Sequence, residues 1–455
     1  MDLRDKKVLV VGLGKTGEAV VDFLIKRGAR VKISEKKTAT ELGDRVASWT
    51  GRGAEVEAGG HRLASFLDAD LIIPSPGIPP LPEFRAAREK GIPLLSEIEL
   101  AYRFLNGTIV GITGTNGKST TTTLVHKILK DAGRKAFLAG NIGTPLVSFA
   151  DRSRTDHIYV TEISSFQLEY IETFRAKVAA FLNVSQNHLD WHGGFEDYFA
   201  SKIKLVTGLD WSGQAVLNRD DAPVWGLKER TSAGVFGFSR RRPLRRGCFV
   251  RDGWVVVREG RDVRVLPVTD VKLPGLHNLE NVLAAVMTGH LLGASPGRMR
   301  ASVRAFRGLE HRLERVLTVR GVEFVNDSKA TTVDAALKAL ASFDRPIVLV
   351  LGGKDKGSDF APLRRIVKSK VRQVVLVGAA REKIRAALAG VVPMDEAGSF
   401  SEVVPKAFAA ARRGDVVLLA PACTSWDMFA NFEERGRTFK RDVGKLALKI
   451  RGRRR

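Results

Sequence analysis

The stretch "GITGTNGKSTTTTLVHKIL", residues 111–129, decides the fold prediction. An apolar strand runs into a Gly-rich turn, and Leu124, Val125, Ile128 and Leu129 then recur at helical spacing. In a strand–turn–helix unit of this kind the turn holds phosphates, the lysine reaches the β and γ phosphates, and the serine hydroxyl binds Mg²⁺. We therefore predict a nucleoside triphosphate site at Gly114, Thr115, Asn116, Gly117, Lys118, Ser119 and Thr120. Ile112 departs from the common P-loop, which has its first glycine at this position.

The same alternation of apolar runs, Gly-rich turns and helical patterns restarts twice more in the chain, at 6–17 and at 319–357. This is typical of buried parallel strands with covering helices, and 455 residues are too many for one core. We predict an α/β protein of three domains: 1–96, Rossmann-like; 97–308, a P-loop domain with a mostly parallel sheet; and 309–455, Rossmann-like.

The composition favours anionic small-molecule partners. Lys plus Arg number 74 against 50 for Asp plus Glu, a net charge of +24. The basic clusters at 240–246 and 451–455 lack interleaved aromatic residues, so we interpret them as solvated faces and expect no nucleic-acid partner. The two cysteines, Cys248 and Cys423, fit neither a disulfide framework nor a metal site. With no leader and no apolar run near the roughly 18 residues of a membrane span, we expect a cytoplasmic protein, monomeric and without a membrane partner.

The first restart carries Gly12, Gly14 and Gly17 as G-x-G-x-x-G, and Glu35 ends the next strand. This pattern alone predicts NAD, with Glu35 on a ribose. Small residues at a helix N-terminus accept any diphosphate, however, so a UDP group fits equally. The glycines could also serve only close packing of the strand against the helix.

Two further segments hold candidate residues with competing interpretations. Glu162, at the end of the strand "HIYVTE", is placed to complete a Mg²⁺ site or to be a solvated strand-end acid. In "NVSQNHLDWHGGFEDYFASKIKL", residues 183–205, His188 lies in a loop and Lys202 follows Tyr198 by one helical turn. Taken alone, such a histidine is more often structural and such a lysine lies at the surface.

Further motifs complete a recognisable series. In order they are "EISSFQLE" (162–169), "NHLDWHG" (187–193), "LPGLHNLEN" (273–281), "EHRLE" (310–314), "NDSKATT" (326–332), "GGKDKGSDF" (352–360) and "APACTSWDMFANFEERG" (420–436). Over all three domains the chain resembles the Mur ligases, and among them those that add D-glutamate to UDP-N-acetylmuramoyl-L-alanine. The loop of that family has the form G-T-N-G-K-[ST], which accounts for Ile112.

The resemblance implies an ATP-dependent amide ligase of cytoplasmic peptidoglycan precursor synthesis that works through an acyl phosphate. It implies two Mg²⁺ ions held by Ser119, Glu162, His188 and a carbamylated Lys202, with Lys118 also catalytic. Asn278, Asn281, Arg312 and Asp327 would bind ATP, the last two reaching it from the C-terminal domain. The i, i+3 spacing of the two asparagines places them on one helix face, and helix capping stays open as an alternative.

The same resemblance assigns the other two substrates. The UDP substrate would contact Lys15, Thr16, Glu35, Lys36, Ser75, Asn141, Ser164, Gln167 and His188. D-Glutamate would contact Thr331, Lys356, Ser425 and Phe432. Lys15, Glu35 and Lys36 depart from common members, so the individual uridine contacts stay open.

Three alternatives remain beside this interpretation. A related ligase could add L-alanine, a diamino acid or a glutamate on folate, although "ISSFQLE" and "ACTSWDMFANFEERG" favour D-glutamate. An NAD-dependent oxidoreductase would leave the P-loop and Lys202 unexplained. A nucleic-acid motor would use the P-loop and the positive charge, and would show ATPase activity stimulated by DNA or RNA.

Overall fold

Four strands near the N-terminus form a parallel sheet in the order β3-β2-β1-β4. This order is that of the first half of a dinucleotide-binding fold. The computed structural model describes residues 1–186, 189–273, 275–355 and 357–452. The elements of this first part are β1 (Lys7–Val11), α1 (Lys15–Lys26), β2 (Arg30–Glu35), α2 (Ala39–Leu42), α3 (Asp44–Thr50), β3 (Glu55–Ala58), α4 (Leu63–Leu67), β4 (Leu71–Pro74), α5 (Pro82–Glu89) and α6 (Glu97–Tyr102).

The central part is a nine-stranded sheet in the order β13-β12-β11-β10-β9-β8-β5-β7-β6, parallel except at β12 and β13. Its strands are β5 (Thr108–Thr113), β6 (Lys135–Gly140), β7 (His157–Glu162), β8 (Val178–Phe181), β9 (Gln214–Asn218), β10 (Gly234–Ser239), β11 (Gly247–Arg251), β12 (Trp254–Glu259) and β13 (Arg261–Pro267). Its helices are α7 (Lys118–Asp131), α8 (Ser165–Glu169), α9 (Leu189–His192), α10 (Phe195–Thr207), α11 (Ala222–Gly226), α12 (Leu276–Leu291) and α13 (Pro296–Ala305).

The last part is a six-stranded sheet in the order β14-β15-β19-β16-β17-β18, parallel except for β14. Its elements are β14 (Glu314–Val319), β15 (Val322–Asn326), α14 (Val333–Ala341), β16 (Ile347–Gly352), α15 (Leu363–Lys370), β17 (Val371–Val377), α16 (Arg381–Ala387), β18 (Met394–Glu396), α17 (Val403–Ala410), β19 (Val416–Leu419) and α18 (Phe432–Gly452). Central strands such as β16 are buried along their whole length, as expected when helices cover both faces of a sheet.

The chain divides into two units, one of Met1–Lys272 with Leu276–Phe306 and one of Leu273–Gly275 with Arg307–Arg455. The first unit holds two sheets and the second holds one. The predicted α/β class with three mostly parallel sheets is therefore confirmed, while the domain boundaries after residues 96 and 308 stay predictions. None of the helices in the described part of the chain has the length and apolarity that a membrane crossing requires.

The sheet order of the central part decides which loops meet. β5 lies between β7 and β8, and all three run parallel. Their carboxyl ends therefore share one edge, where ligands of parallel α/β sheets bind. The Gly-rich turn after β5, Glu162 of β7 and the segment after β8 lie together at this edge.

Candidate active site

The P-loop has the predicted strand–turn–helix form, with β5 ending at Thr113 and α7 beginning at Lys118. Ile112 is a fully buried residue of β5, so no turn begins there. The Lys118 ammonium donates to the carbonyl oxygens of Gly114 and Thr115, both at 3.0 Å, and so curls over the turn. Ser119 and Thr120 are buried in the first turn of α7, where free helical N–H groups favour an anion.

Asn281 of α12 lies directly against this turn. Gly117 has a left-handed φ of 82°, and a Cβ there would be 2.1 Å from the Asn281 Oδ1, so only glycine fits. The Asn281 amide also donates to the Asn278 Oδ1 at 3.1 Å, which places the two asparagines on one face, as their spacing predicted. Because α12 begins at Leu276, Asn278 lies in its first turn, and helix capping stays open as an alternative for this residue.

Glu162 is a buried acid with one unpartnered oxygen. Its side chain ends β7 and is 2% exposed, so the alternative of a solvated strand-end residue is wrong. Its Oε1 accepts from the Asn141 amide at 2.7 Å, whereas its buried Oε2 has no hydrogen-bond partner among the described residues. Leaving a buried carboxylate oxygen unpaired is costly, so this atom indicates a position for a cation.

Lys202 is buried beside the P-loop. It lies on α10, one turn after Tyr198, and is 1% exposed, so the surface interpretation is wrong. Its Nζ donates to the Gly114 carbonyl oxygen at 3.0 Å and to the Thr113 hydroxyl at 3.3 Å. Burial, reinforced by the Lys118 charge and opposed by Glu162, holds the pKa of Lys202 well below its usual value. A lysine in this setting is readily neutral and nucleophilic.

The oxygen donors present at this edge fit Mg²⁺. The Ser119 hydroxyl and the Glu162 carboxylate are the hard ligands that this ion prefers, and the unpartnered Oε2 of Glu162 is the observation that favours it. In the described ranges no cluster of three His, Cys, Asp or Glu side chains forms an all-protein metal cage. The predicted ligand His188 lies outside the described residues.

His192, Ser164 and Gln167 have local structural partners. The His192 Nε2 lies 2.9 Å from the Ser165 hydroxyl, and its ring stacks on Phe166. Ser164 and Gln167 form a capping box at the start of α8: the Ser164 hydroxyl accepts from the Gln167 N–H at 3.3 Å, and the Gln167 Oε1 accepts from the Ser164 N–H at 3.0 Å.

The glycine turn after β1 is braced by Glu35. A Cβ on Gly17 would lie 2.1 Å from the Gly12 carbonyl oxygen, so close strand–helix packing requires this glycine. The Glu35 carboxylate accepts from the Leu13 N–H at 2.7 Å and from the Lys37 N–H at 3.2 Å. Glu35 therefore orders the turn itself, which sequence reasoning did not foresee.

Other residues predicted for the UDP substrate are distributed around this turn. Ser75 donates to the Gly12 carbonyl at 2.7 Å, and Lys15 donates to the carbonyl of Gly143 in the loop after β6. Thr16 is half-buried in α1, and Lys36 is exposed just after β2. Ser75 and Gln167 line one small cavity, together with Ser96, Phe166, Tyr170 and Trp191.

Glu97, at the start of α6, connects the segment after β6 to the start of α8, a contact that the sequence did not indicate. Its Oε1 accepts from the Val147 N–H at 2.7 Å, and its carboxyl also bonds to the Gln167 side chain. Burial raises the pKa of Glu97 to about 7, even though the bonds from Val147, Leu146 and Gln167 lower it. In a sequence, an acid in the first turn of a helix indicates only a favourable charge at the helix N-terminus. No sequence pattern therefore identified Glu97 as a contact between segments.

In the second unit, Asp327 is buried at the end of β15. It accepts from the Leu313 N–H at 3.3 Å. Burial raises the pKa of Asp327 to about 6, opposed by that hydrogen bond and by the charges of Arg312 and Lys329. Arg312 and Asp327, both predicted to bind ATP, thus lie close enough to interact.

The segments that carry Thr331, Ser425 and Phe432, three of the residues predicted for D-glutamate, meet at a buried arginine. Arg435 of α18 donates to the Ser328 hydroxyl and carbonyl at 3.0 and 2.9 Å, and to the carbonyls of Cys423 and Thr424 at 3.1 and 3.2 Å. Burial lowers its pKa to about 10. Arg435 thereby joins the segments that precede Thr331 and Ser425 to the first turn of α18.

Within this part, Ser425 is buried, and its carbonyl accepts from the Met428 and Phe429 N–H groups. Phe432 begins α18, and its carbonyl accepts from the Ser328 hydroxyl at 2.8 Å. Thr331 is half-buried. Lys356 lies outside the described residues.

Family models match most of the chain. The Mur ligase MurD-like N-terminal domain matches residues 6–96, the Mur ligase middle domain residues 112–289, and the Mur ligase glutamate ligase domain residues 311–423. Two full-length relatives carry the name UDP-N-acetylmuramoylalanine–D-glutamate ligase. The one from Acidobacterium capsulatum is 47% identical over 97% of this chain and 96% of its own length. The one from Koribacter versatilis is 45% identical over 98% and 99%.

Solved structures share the fold at low identity. UDP-N-acetylmuramate-alanine ligase MurC from Thermotoga maritima superposes with a TM-score of 0.57 at 17% identity, covering 97% of this chain and 99% of that one. A pseudomurein peptide ligase type C from Methanothermus fervidus gives 0.55 at 18%, covering 97% and 100%. The resemblance seen in the motifs is confirmed by the relatives and family models: this chain belongs to the Mur ligase family.

Proposed function

We propose that this protein is an ATP-dependent ligase that joins D-glutamate to UDP-N-acetylmuramoyl-L-alanine. The observation that carries the proposal is the arrangement of Lys118, Glu162 and Lys202 at one sheet edge. It occurs in a chain 47% identical over nearly its whole length to a relative named for this reaction. In this proposal the enzyme is a cytoplasmic monomer that acts in the synthesis of peptidoglycan precursors.

The chemistry explains why an ATP site is needed. A carboxylate and an amine do not condense unaided in water, so one carboxylate oxygen of the UDP substrate attacks the γ-phosphorus of ATP. An O–P bond forms, the bond to the β-phosphate oxygen breaks, and ADP leaves. The amine of D-glutamate then attacks the acyl carbon, phosphate leaves, and the nitrogen loses a proton to give the amide.

The chain's own residues supply positive charge where two anions meet. Lys118, held over the turn by the Gly114 and Thr115 carbonyls, is placed to follow the transferring phosphoryl group. The helix N-terminus at Ser119 and Thr120 favours the same negative charge. When bound, Mg²⁺ at Ser119 and Glu162 would neutralise phosphate charge, a second ion being held through His188 and Lys202.

Lys202 serves a cation site only with its charge reversed. Its neutral amine adds to CO₂ to give a carbamate and a proton, which replaces an ammonium with two oxygen donors. The burial of Lys202 and its lowered pKa support this proposal, because only the unprotonated amine reacts.

The other two substrates follow the motif positions. The UDP substrate is assigned to the glycine turn with Lys15, Thr16, Glu35, Lys36 and Ser75, and to Asn141, Ser164, Gln167 and His188. D-Glutamate is assigned to Thr331, Lys356, Ser425 and Phe432. Asn278, Asn281, Arg312 and Asp327 are assigned to ATP. The contact of Asn281 with the P-loop turn supports its assignment.

A panel experiment tests the proposal. Release of ADP is measured with ATP, Mg²⁺ and UDP-N-acetylmuramoyl-L-alanine over a set of amino acids. D-Glutamate is expected to stimulate release at least a hundredfold over L-glutamate, L-alanine and meso-diaminopimelate. Stimulation by another amino acid instead would assign the protein to another amide ligase of the family. Reduction of NAD or stimulation by DNA would indicate the other classes.

A further inference from the structure

Hydrogen bonds join the tip of the P-loop, Thr115 and Asn116, to the segment that follows β8. The Thr115 N–H donates to the Asn183 carbonyl oxygen at 2.9 Å, and the Asn116 N–H donates to the Asn183 Oδ1 at 2.9 Å. In return, the Asn183 amide donates to the Asn116 carbonyl at 3.1 Å. One residue thus pairs with the loop through both its backbone and its side chain.

These bonds reduce the number of loop N–H groups that can bind phosphate. The N–H groups of Thr115 and Asn116, expected from the sequence to cradle phosphates, already have acceptors on Asn183. The phosphate-binding N–H groups are therefore those of Gly117 and of the first residues of α7, which lie at a helix N-terminus. The bonds of Asn183 fix where that terminus begins.

The sheet register explains why Asn183 reaches the loop. Thr113, the last residue of β5, pairs with Phe181, the last residue of β8. Asn183 and Asn116 follow these neighbouring strand ends by two and three residues. Two adjacent strand ends therefore leave the sheet together, and a side-chain amide that mimics a strand partner joins them.

A second contact continues the connection to α10. The Thr115 hydroxyl accepts from the Ser185 N–H at 3.0 Å and lies 3.0 Å from the Tyr198 hydroxyl. The Tyr198 ring lies 4.9 Å from the Lys202 Nζ. The loop tip, the segment after β8 and the helix that carries Lys202 are thus one hydrogen-bonded assembly.

We propose that Asn183 is a positioning residue for phosphoryl transfer: it holds the P-loop tip in its phosphate-binding conformation and locks it to the segment that leads to Lys202. A loop with glycines at both ends has many conformations to lose when it binds a ligand. Preorganising it spares that cost at the moment of binding. The inference rests on the proposed function in assigning ATP to the loop.

Asn218 provides a matched control. Its amide donates to the Leu182 carbonyl at 2.8 Å, and its Oδ1 accepts from the Asp220 N–H at 2.9 Å. It therefore supports the same segment, one residue before Asn183, by bonds that do not involve the P-loop. Asn218→Ala removes a comparable number of hydrogen bonds and should destabilise the protein comparably.

The experiment compares Asn183→Ala, Asn183→Leu and Asn218→Ala in the full chain. We expect both Asn183 variants to raise the KM for ATP and the Kd for MgADP at least tenfold, with the KM for D-glutamate within twofold of wild type. Asn218→Ala should change none of these more than threefold, even where its melting temperature falls as far. Asn183→Leu keeps the branching and the number of side-chain heavy atoms and leaves no cavity, so it separates the effect of lost hydrogen bonds from that of a cavity.

Several outcomes would overturn the positioning role. Wild-type nucleotide affinity in the Asn183 variants is one, and an equal loss of affinity in Asn218→Ala is another. A loss that affects D-glutamate as strongly as ATP would mean general damage to the fold. The MgADP titration needs no turnover, so it decides the role of Asn183 even if wild type fails to use D-glutamate and the proposed function falls.

Discussion

The Nζ of Lys202 lies 3.0 Å from the carbonyl oxygen of Gly114, so a buried amine faces the P-loop from the neighbouring helix. An ammonium at this position would repel a metal ion shared with phosphates. The carbamate proposed for Lys202 would remove this conflict, so Lys202 is the residue on which the proposed metal chemistry depends most strongly.

We predict that Lys202→Ala lowers kcat at least a hundredfold, because an anionic ligand is lost. Short carboxylates or added bicarbonate should restore part of the activity in steady-state assays. Wild type equilibrated with ¹³C-bicarbonate should show a carbamate resonance that the variant lacks. Lys204→Ala, on the same helix but bonded to the Glu169 carbonyl, is the control and should keep normal turnover. Normal turnover in Lys202→Ala would reduce this lysine to a structural role.

Lys118→Ala should abolish ATP-dependent ligation, with a loss on the order of a thousandfold in kcat/KM for ATP. The lysine is the compact charge over the phosphate turn. Lys127→Ala removes a lysine of the same helix that pairs with Asp131, and it should leave the rate of ligation nearly unchanged. Initial rates of ADP release measure both, and retained activity in Lys118→Ala would remove the P-loop from the mechanism.

Glu97 should make stability depend on pH. Its folded pKa of about 7 lies above the ordinary 4.5, so the folded state holds a proton that the unfolded state releases. That contribution is fully present below about pH 4.5 and is lost as pH rises towards 7, a difference of roughly 3 kcal/mol at most. Glu97→Gln stays neutral, so its melting temperature should rise relative to wild type between pH 5 and pH 8.

Thermal unfolding of wild type and both variants at several pH values checks this. The control is Glu89→Gln, which alters an exposed carboxyl of α5, and its difference from wild type should stay constant with pH. A constant difference for Glu97→Gln as well would show that Glu97 titrates alike in both states.

Lys356→Ala should raise the KM for D-glutamate at least tenfold and leave the KM for the UDP substrate within twofold. An ammonium paired with the carboxylate of the amino acid affects only that substrate. Lys354→Ala, an exposed lysine two residues earlier, is the matched control. Steady-state titration of each substrate decides the point, and equal effects on both substrates would contradict the assignment.

The features that the sequence predicted best are those that depend on a local pattern of residues. Gly-Lys-Ser between a strand and a helix predicted the P-loop, and the spacing of Asn278 and Asn281 placed them on one helix face, as the structure has them. Lys202 was predicted only through the family resemblance. Its burial depends on how α10 packs on the end of β5, and no local pattern carries that information.

Residues that act across long sequence separations were missed. Asn183 contacts Asn116 because two strands that are distant in the chain are neighbours in the sheet. Glu97 reaches Val147 and Gln167 from a helix that joins two sheets. Glu35 matched a ribose-binding acid by its spacing, yet its carboxylate accepts backbone N–H groups of Leu13 and Lys37. Tertiary contacts of this kind have no signature in composition or periodicity.

Isotope transfer from the substrate carboxylate to phosphate tests whether an acyl phosphate forms at the P-loop. UDP-N-acetylmuramoyl-L-alanine labelled with ¹⁸O in both carboxylate oxygens is turned over with ATP and D-glutamate, and the released phosphate is analysed by mass spectrometry. Attack of the carboxylate on the γ-phosphorus predicts one ¹⁸O atom in the phosphate for every amide formed, and none in the nucleotide. Unlabelled phosphate, or label found in AMP, would contradict the proposed mechanism.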